Sequence, residues 1–319
     1  MVRYQAEDFG RLVLVLLGFT QHSKMRMIQS LMAQFREEGF QVVALNQRCE
    51  TAEETGHKIT APKVTCLDNF RDLMEITQHI LARHPQVELS AVGFSMGGTQ
   101  LLRHLGSQGA KTPFRSAVAI APHLDVPSWA RSLSSSRGKR ILSYLMSQLC
   151  KQYIKATLEG TKAMDLVDSA SLKSAGSLQE VEQAVVCPLH GYAAVDEYYA
   201  AVSPHAFLGQ IAVPTLILHT EDDPWVPFDS SIIKQLQSKE EEPAVVVVRT
   251  PTSQVSIPLW KKTPRTLSFS RLPLSAEATS AGEAPTQARV PGPIPWQRSS
   301  SRLLPASGEQ CKAHWQPSS

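Results

Sequence analysis

Residues 89–105 read LSAVGFSMGGTQLLRHL, and no other stretch constrains the fold as tightly. A short β-favouring run, LSAVGF (89–94), meets a helix-favouring run, Thr99 to Leu105, with only Gly93-Phe94-Ser95-Met96-Gly97-Gly98 at the junction. Small residues on both sides of a serine let a strand turn sharply into a helix, and the turn lifts the serine oxygen above the C-terminal edge of a sheet. The plain alternative is a glycine-rich turn with a passive serine; the strand before and the helix after favour the sharp reading.

The rest of the first 250 residues keeps that rhythm. RLVLVLL (11–17), QVVALN (41–46), SAVAIA (116–121), PTLILHT (214–220) and AVVVV (244–248) are continuous apolar runs, as expected for strands buried on both faces. Between them, Ser23 to Glu38 and Leu67 to Arg83 space their apolar residues helically, with Gly39 and Pro85 as stops. A short helix is expected near Ser230 to Leu236. The fold class that follows is α/β, a mostly parallel sheet with helices on both faces. Residues 122–210 break the alternation: Arg140 to Ile154 and Leu178 to Ala184 are helical patterns and no strong strand intervenes. The expectation is a domain at 11–250 with 122–210 as a helical cap, since lids of this kind gate a site and exclude water.

Residues 251–319 have another composition. They hold ten of the 21 prolines and carry a net charge of +5, whereas residues 1–250 carry −2. This Pro/Ser-rich segment lacks helical or strand periodicity and is expected to be a disordered tail. The near-neutral folded part argues against nucleic acid as a partner. Five cysteines (Cys49, Cys66, Cys150, Cys187, Cys311) without a C-x-x-C indicate neither a disulfide framework nor a zinc site, so a reducing, cytoplasmic compartment is the default. The N-terminus has no secretory-signal pattern, and no apolar run reaches the roughly 18 residues of a membrane helix. There is no H-E-x-x-H and no glycine-rich phosphate loop, and no metal or cofactor is expected.

Ser95 is a weak nucleophile without a base. Acyl transfer also needs two N–H groups aimed at the developing oxyanion. Met96, just after the serine, is one candidate donor. Phe19, behind Gly18 in the loop after the 11–17 strand, is the other. A carboxylate at the end of PTLILHTEDDPWVP could orient a histidine and stabilise its cation; Asp223 is the first choice and Asp222 the second. Asp before Pro also favours an ordinary turn. A histidine is then expected after the next strand, near 250–260, and none stands there. His314 is the only one after Asp223; His22, His123, His190, His205 and His219 precede it and read as surface or packing residues.

These pieces resemble the α/β-hydrolase superfamily, and more closely its abhydrolase branch of membrane-associated esterases and lipases. VLLGFT is similar to that branch's oxyanion segment, with Leu17 where proline is usual. VALNQRC is similar to its Asn-x-Arg-Gly segment, with Cys49 for glycine. HPQVELSAVGFSMGGTQLLRHLG matches its nucleophile region, and DEYYAAVSPHAFLGQIAVPTLILHTEDDPWVP the stretch from cap to acid. The resemblance implies a serine ester hydrolase acting on a small acyl ester or lipid, with peripheral membrane contact. Ser95 at the elbow argues against the aspartate-nucleophile classes of the same fold. Members also carry an anchor and two strands before the oxyanion strand, and Gly-Gly-His where Thr250-Pro251-Thr252-Ser253 stands here. The expectation is a chain altered at both ends and impaired by its missing histidine. The alternative is a non-catalytic fragment or isoform that binds acyl groups or partners.

Overall fold

The computed structural model describes residues 10–48, 63–226, 232 and 244–250. All of them lie in the first of two units of the chain, Met1–Ile257. The expected tail at 251–319 falls outside the described residues, as does the expected helix at 230–236 apart from Ile232.

Six strands form one sheet: β1 (Arg11–Leu16), β2 (Gln41–Leu45), β3 (Glu88–Phe94), β4 (Phe114–Ile120), β5 (Thr215–Thr220) and β6 (Val245–Thr250). Every neighbouring pair is parallel, in the order β2-β1-β3-β4-β5-β6. Their apolar runs are the consequence, because both faces of a parallel sheet are covered. On β1, Leu12, Leu14 and Leu16 face one cluster and Val13 and Val15 the other. Helix α1 (Arg26–Glu37) covers the valine face with Ile28, Leu31 and Phe35. Helices α2 (Phe70–Arg83) and α3 (Met96–Gln108) cover the leucine face with Leu73, Ile80, Leu101, Leu102 and Leu105.

The chain leaves β1 toward β2 and then returns to place β3 on the other side of β1. At such a switch point the loops after the two adjacent strands run to opposite faces and leave a crevice outside their C-terminal ends. The loops after β1 and β3 carry Phe19 and Ser95.

Between β4 and β5 lie helices α4 (Val126–Ser132), α5 (Arg137–Leu158), α6 (Ser169–Ser174), α7 (Leu178–His190) and α8 (Val195–Val202). Polar caps set the starts of α4 to α7: Asp125, Ser136, Asp168 and Ser177 each accept a backbone N–H from the first turn. Helix α7 contains Pro188, which cannot donate to the carbonyl of Ala184. That carbonyl instead accepts the Asp168 N–H at 3.0 Å, which fastens α6 to α7. These helices share a core with Met96 at the start of α3 and pack against Phe19 and Trp225, beyond the C-terminal ends of β1, β3 and β5.

Candidate active site

Ser95 stands between the last residue of β3 and the first of α3 with φ 49° and ψ −116°. A side chain other than glycine in such a conformation costs on the order of 1–3 kcal/mol and persists only where its surroundings enforce it. Three glycines show what enforces it. A Cβ on Gly93 would stand 2.6 Å from the Gly97 carbonyl oxygen, and one on Gly97 2.6 Å from the Leu16 oxygen. A Cβ on Gly98 would meet the Gly93 oxygen at 3.0 Å. The helix thus lies directly against its own strand and against the end of β1, and the residue between must bend sharply. Thr20 after β1 and Ala121 after β4 also have positive φ, at 60° and 49°. Backbone strain is therefore gathered at the C-terminal ends of three adjacent strands.

Met96 opens α3, so its N–H is one of the donors that no helical carbonyl reaches. The loop after β1 is shaped by Gln21, whose side chain accepts the Gly18 N–H at 2.8 Å and whose own N–H returns to the Gly18 oxygen at 3.1 Å. Gly18 lets the loop approach closely: a Cβ there would lie 3.1 Å from Gln21 Oε1 and 3.3 Å from the Phe94 oxygen. The two candidate donor loops are therefore in contact. The Phe19 ring turns away toward the helices and meets Tyr153 of α5 edge-on at 5.3 Å.

The segment after β2 supplies the scaffold, a role that residue types alone did not disclose. Asn46 accepts the Ser23 N–H at 2.8 Å, and Gln47 donates to the Leu17 oxygen at 3.2 Å and to Gln100 Oε1 at 2.6 Å. Gln100 donates in turn to the Cys66 oxygen at 2.8 Å. Arg48 grips Asp72 through two bonds of 2.5 and 2.7 Å. One polar chain therefore ties the β1 loop to the elbow helix and to α2.

The candidate acid lies two strands from Ser95, after β5. Asp223 Oδ1 accepts the N–H groups of Trp225 and Val226, both at 2.9 Å, and closes a turn. Asp222 has a partner of its own. Two buried histidines lie in this part of the molecule. His219, on β5, feels the Asp223 charge and donates from Nε2 to the Pro122 oxygen at 3.0 Å; burial still pulls its pKa below the usual value. His123 gives its N–H to Thr99 Oγ1 at 2.8 Å, and Thr99 Oγ1 donates to the Ser95 carbonyl oxygen at 3.2 Å. The His123 ring packs on Trp129 at 4.3 Å, and burial, with His219 beside it, lowers its pKa to about 3. In both, burial favours the neutral imidazole. Among the described residues, no histidine is hydrogen-bonded to Ser95 Oγ. Also among them, no group of three or more His, Cys, Asp or Glu could hold a metal ion.

A second polar cluster lies where the loop before α2 meets the end of α7. His190 Nε2 donates to the Val64 oxygen at 3.2 Å, its Nδ1 stands 3.7 Å from Asp68 Oδ2, and Cys66 Sγ is 3.5 Å from the ring. Burial opposes ionisation of Asp68, but hydrogen bonds from His190 and Tyr192 outweigh it and hold the carboxyl below its usual range. Burial pushes the Cys66 thiol far up, so it is an inert buried thiol.

The family model described as serine aminopeptidase, S33 (Hydrolase_4) matches residues 8–246. The chain belongs to that family. Among curated relatives, this S33-family chain is 26% identical over 238 residues to phospholipase ABHD3 of Mus musculus, covering 75% of this chain and 56% of the relative. It is 29% identical over 266 residues to the medium-chain fatty acid ethyl ester synthase/esterase 2 of Saccharomyces cerevisiae, with the same coverages of 75% and 56%. The S33-family chain thus spans about half the length of the curated relatives it matches. A solved Pyrococcus furiosus esterase aligns with a TM-score of 0.47 at 15% identity, covering 79% of each chain.

Proposed function

We propose that the chain is built as a serine carboxylic-ester hydrolase of the esterase or lipase type, and that it is impaired as it stands. The carrying observation is Ser95 itself, held at positive φ on the turn from β3 to α3 at the switch point of the sheet. In this reading Ser95 Oγ attacks an acyl carbonyl, and the Met96 and Phe19 N–H groups stabilise the tetrahedral oxyanion. Asp223, or Asp222 as second choice, is the acid that would orient a histidine. Residues 122–210 act as the cap that shields the reaction. A small acyl ester or lipid substrate is supported by the likeness to a phospholipase and to an ethyl ester synthase/esterase. No cofactor enters, and the setting is the cytoplasm with peripheral membrane contact.

Impairment follows from proton transfer. Ser95 has a high intrinsic pKa and needs a base. His123 and His219 are buried, poor bases committed to Thr99 and Pro122. Loss of a triad histidine costs on the order of 10⁶-fold in turnover, leaving only what the oxyanion donors and binding provide. The same observations favour a second reading, a non-catalytic hydrolase fold that binds acyl groups or a partner: Asp223 is occupied in closing its own turn.

The experiment is hydrolysis of p-nitrophenyl butyrate, with fluorophosphonate labelling, by the chain and by Ser95→Ala. Little or no Ser95-dependent turnover is expected from the unaltered chain. Replacing residues 250–319 by a segment that brings Gly-Gly-His and a closing helix should restore it. If the graft folds yet neither hydrolyses nor labels at Ser95, the non-catalytic reading holds. Robust turnover by the unaltered chain would mean that another histidine serves, with His123 and His314 the first to replace.

A further inference from the structure

Helix α5 carries apolar residues on both faces. Its inward face mixes the two kinds: Ser143, Ser147, Cys150 and Thr157 are buried beside Ile154 and Leu158, with Met146 and Tyr153 packed against the same core. Ser143 Oγ accepts the Leu178 N–H at 3.2 Å, so the polar groups on that side are used inside. Its outward face carries Ile141, Tyr144, Leu145 and Leu149 at exposures of 61%, 49%, 58% and 44%. These positions follow helical spacing and form one stripe. Single exposed apolar residues are ordinary, but a contiguous stripe marks a surface that something covers.

Charge identifies what covers it. The 22 residues RGKRILSYLMSQLCKQYIKATL contain five Lys or Arg and no Asp or Glu. Arg137 and Arg140 are exposed at the start of the stripe and Lys155 beyond its end. A second copy of the chain would bring these same cations face to face across a two-fold axis. The chain's own segment 251–319 carries +5, the same sign as the helix, so charge complementarity does not favour it as the occupant. An apolar stripe with cations at its ends instead fits a bilayer surface, the side chains entering the acyl boundary and the cations meeting anionic headgroups.

We propose that α5 is an interfacial helix that seats the chain on an anionic membrane surface through Ile141, Tyr144, Leu145 and Leu149. Its inward side holds Tyr153 against Phe19, so the helix that docks also borders the loop after β1. A seated chain therefore holds that loop near the bilayer, where an acyl lipid would be met. Docking deepens the membrane contact of the proposed function, and this last step rests also on its hydrolase reading.

The test is co-sedimentation of the full 319-residue chain with vesicles of phosphatidylcholine alone or of phosphatidylcholine with phosphatidylserine. Binding to the anionic vesicles is expected, weakened by salt. The triple variant Ile141→Gln, Leu145→Gln, Leu149→Gln should bind at least about tenfold more weakly, and so should Arg137→Glu with Arg140→Glu. Since these side chains are exposed, thermal midpoints should not move; if the triple variant melts early, Leu145→Gln alone carries the test, with a loss of several-fold. Ser95→Ala should bind like the unaltered chain, so failure of catalysis and failure of docking are read separately. Absence of binding to anionic vesicles overturns the proposal. So does undiminished binding by the triple variant, which would assign it to 251–319, and so does a dimer that the triple variant dissolves.

Discussion

In the sheet, β1 buries Leu12, Leu14 and Leu16 on one side and Val13 and Val15 on the other, and α3 lies so close that Gly97 has no room for a methyl group. In the segment between β4 and β5, α5 buries Ser143 and Ser147, and α7 and α8 are joined by a bond from the Tyr199 hydroxyl to Glu182. The first region is apolar contact at close approach; the second contains polar groups that must be satisfied one by one. Close packing tolerates almost no added volume, whereas a polar interior is sensitive to protonation. The two regions should therefore fail for different reasons.

The largest expected effect is in the sheet. Gly97→Ala puts a carbon 2.6 Å from a backbone oxygen of β1, which cannot swing away like a side chain. A loss of about 3 kcal/mol or more, or failure to fold, is expected in urea unfolding. A loss below 1 kcal/mol would mean that α3 can back away from β1, and the contrast would collapse.

Next come two pH dependences of opposite sign. Burial lowers the pKa of His104, which packs edge-on against Phe114 at 6.0 Å, to about 4. The unfolded chain then binds the proton more readily, so this stability is present above about 6.5 and is lost as pH falls toward 4. His104→Phe should flatten the acid limb by up to about 3 kcal/mol, read from unfolding between pH 7 and 4. In the helical segment, burial raises the Glu182 pKa to about 7 against the pull of the Tyr199 hydrogen bond. The folded chain here binds the proton more readily, so this stability is present below about 4.5 and is lost as pH rises through 7. Glu182→Gln should remove that loss, about 1–3 kcal/mol. Hydrogen exchange in α7 and α8 should show it while the sheet amides stay unchanged. If both regions weaken in the same pH direction, the comparison fails.

The smallest effect is Gly138→Ala, near the start of α5, where an added carbon meets nothing within 4 Å. A gain of about 0.5–1 kcal/mol is expected from helix propensity alone, measured as a raised midpoint. Set against Gly97→Ala, the same chemical change should have the opposite sign.

How far the chain can be read without its fold differs between the regions in the same way. The runs at 11–17, 41–46, 89–94, 116–121, 214–220 and 244–248 correspond to β1 through β6, with ends shifted by one or two residues. Burial on both faces leaves a local mark, an unbroken apolar run. The bend at Ser95 is legible for the same reason, since the glycines that permit it are its immediate neighbours in sequence. The candidate site was legible only in parts. Ser95, Met96 and Gly18 announce themselves by local pattern, but the chain Asn46, Gln47, Gln100 that fixes the β1 loop joins residues more than 50 positions apart. The turn closed by Asp223 was written in its Asp-Pro pair.

The parallel sheet, the places of its strands and the sharp turn at Ser95 can be read along the chain, because each depends on residues within a few positions of one another. Which face of α5 is covered cannot. Periodicity alone would bury Ile141, Leu145 and Leu149, yet the helix turns Ser143, Ser147 and Cys150 inward because α7 offers the Leu178 N–H there. The tertiary structure likewise decided that Asp68 meets His190 and that Glu182 meets Tyr199, pairs separated by 122 and 17 residues whose energies depend on the burial around them. Burial is a property of the assembled layers, and no window of sequence contains it.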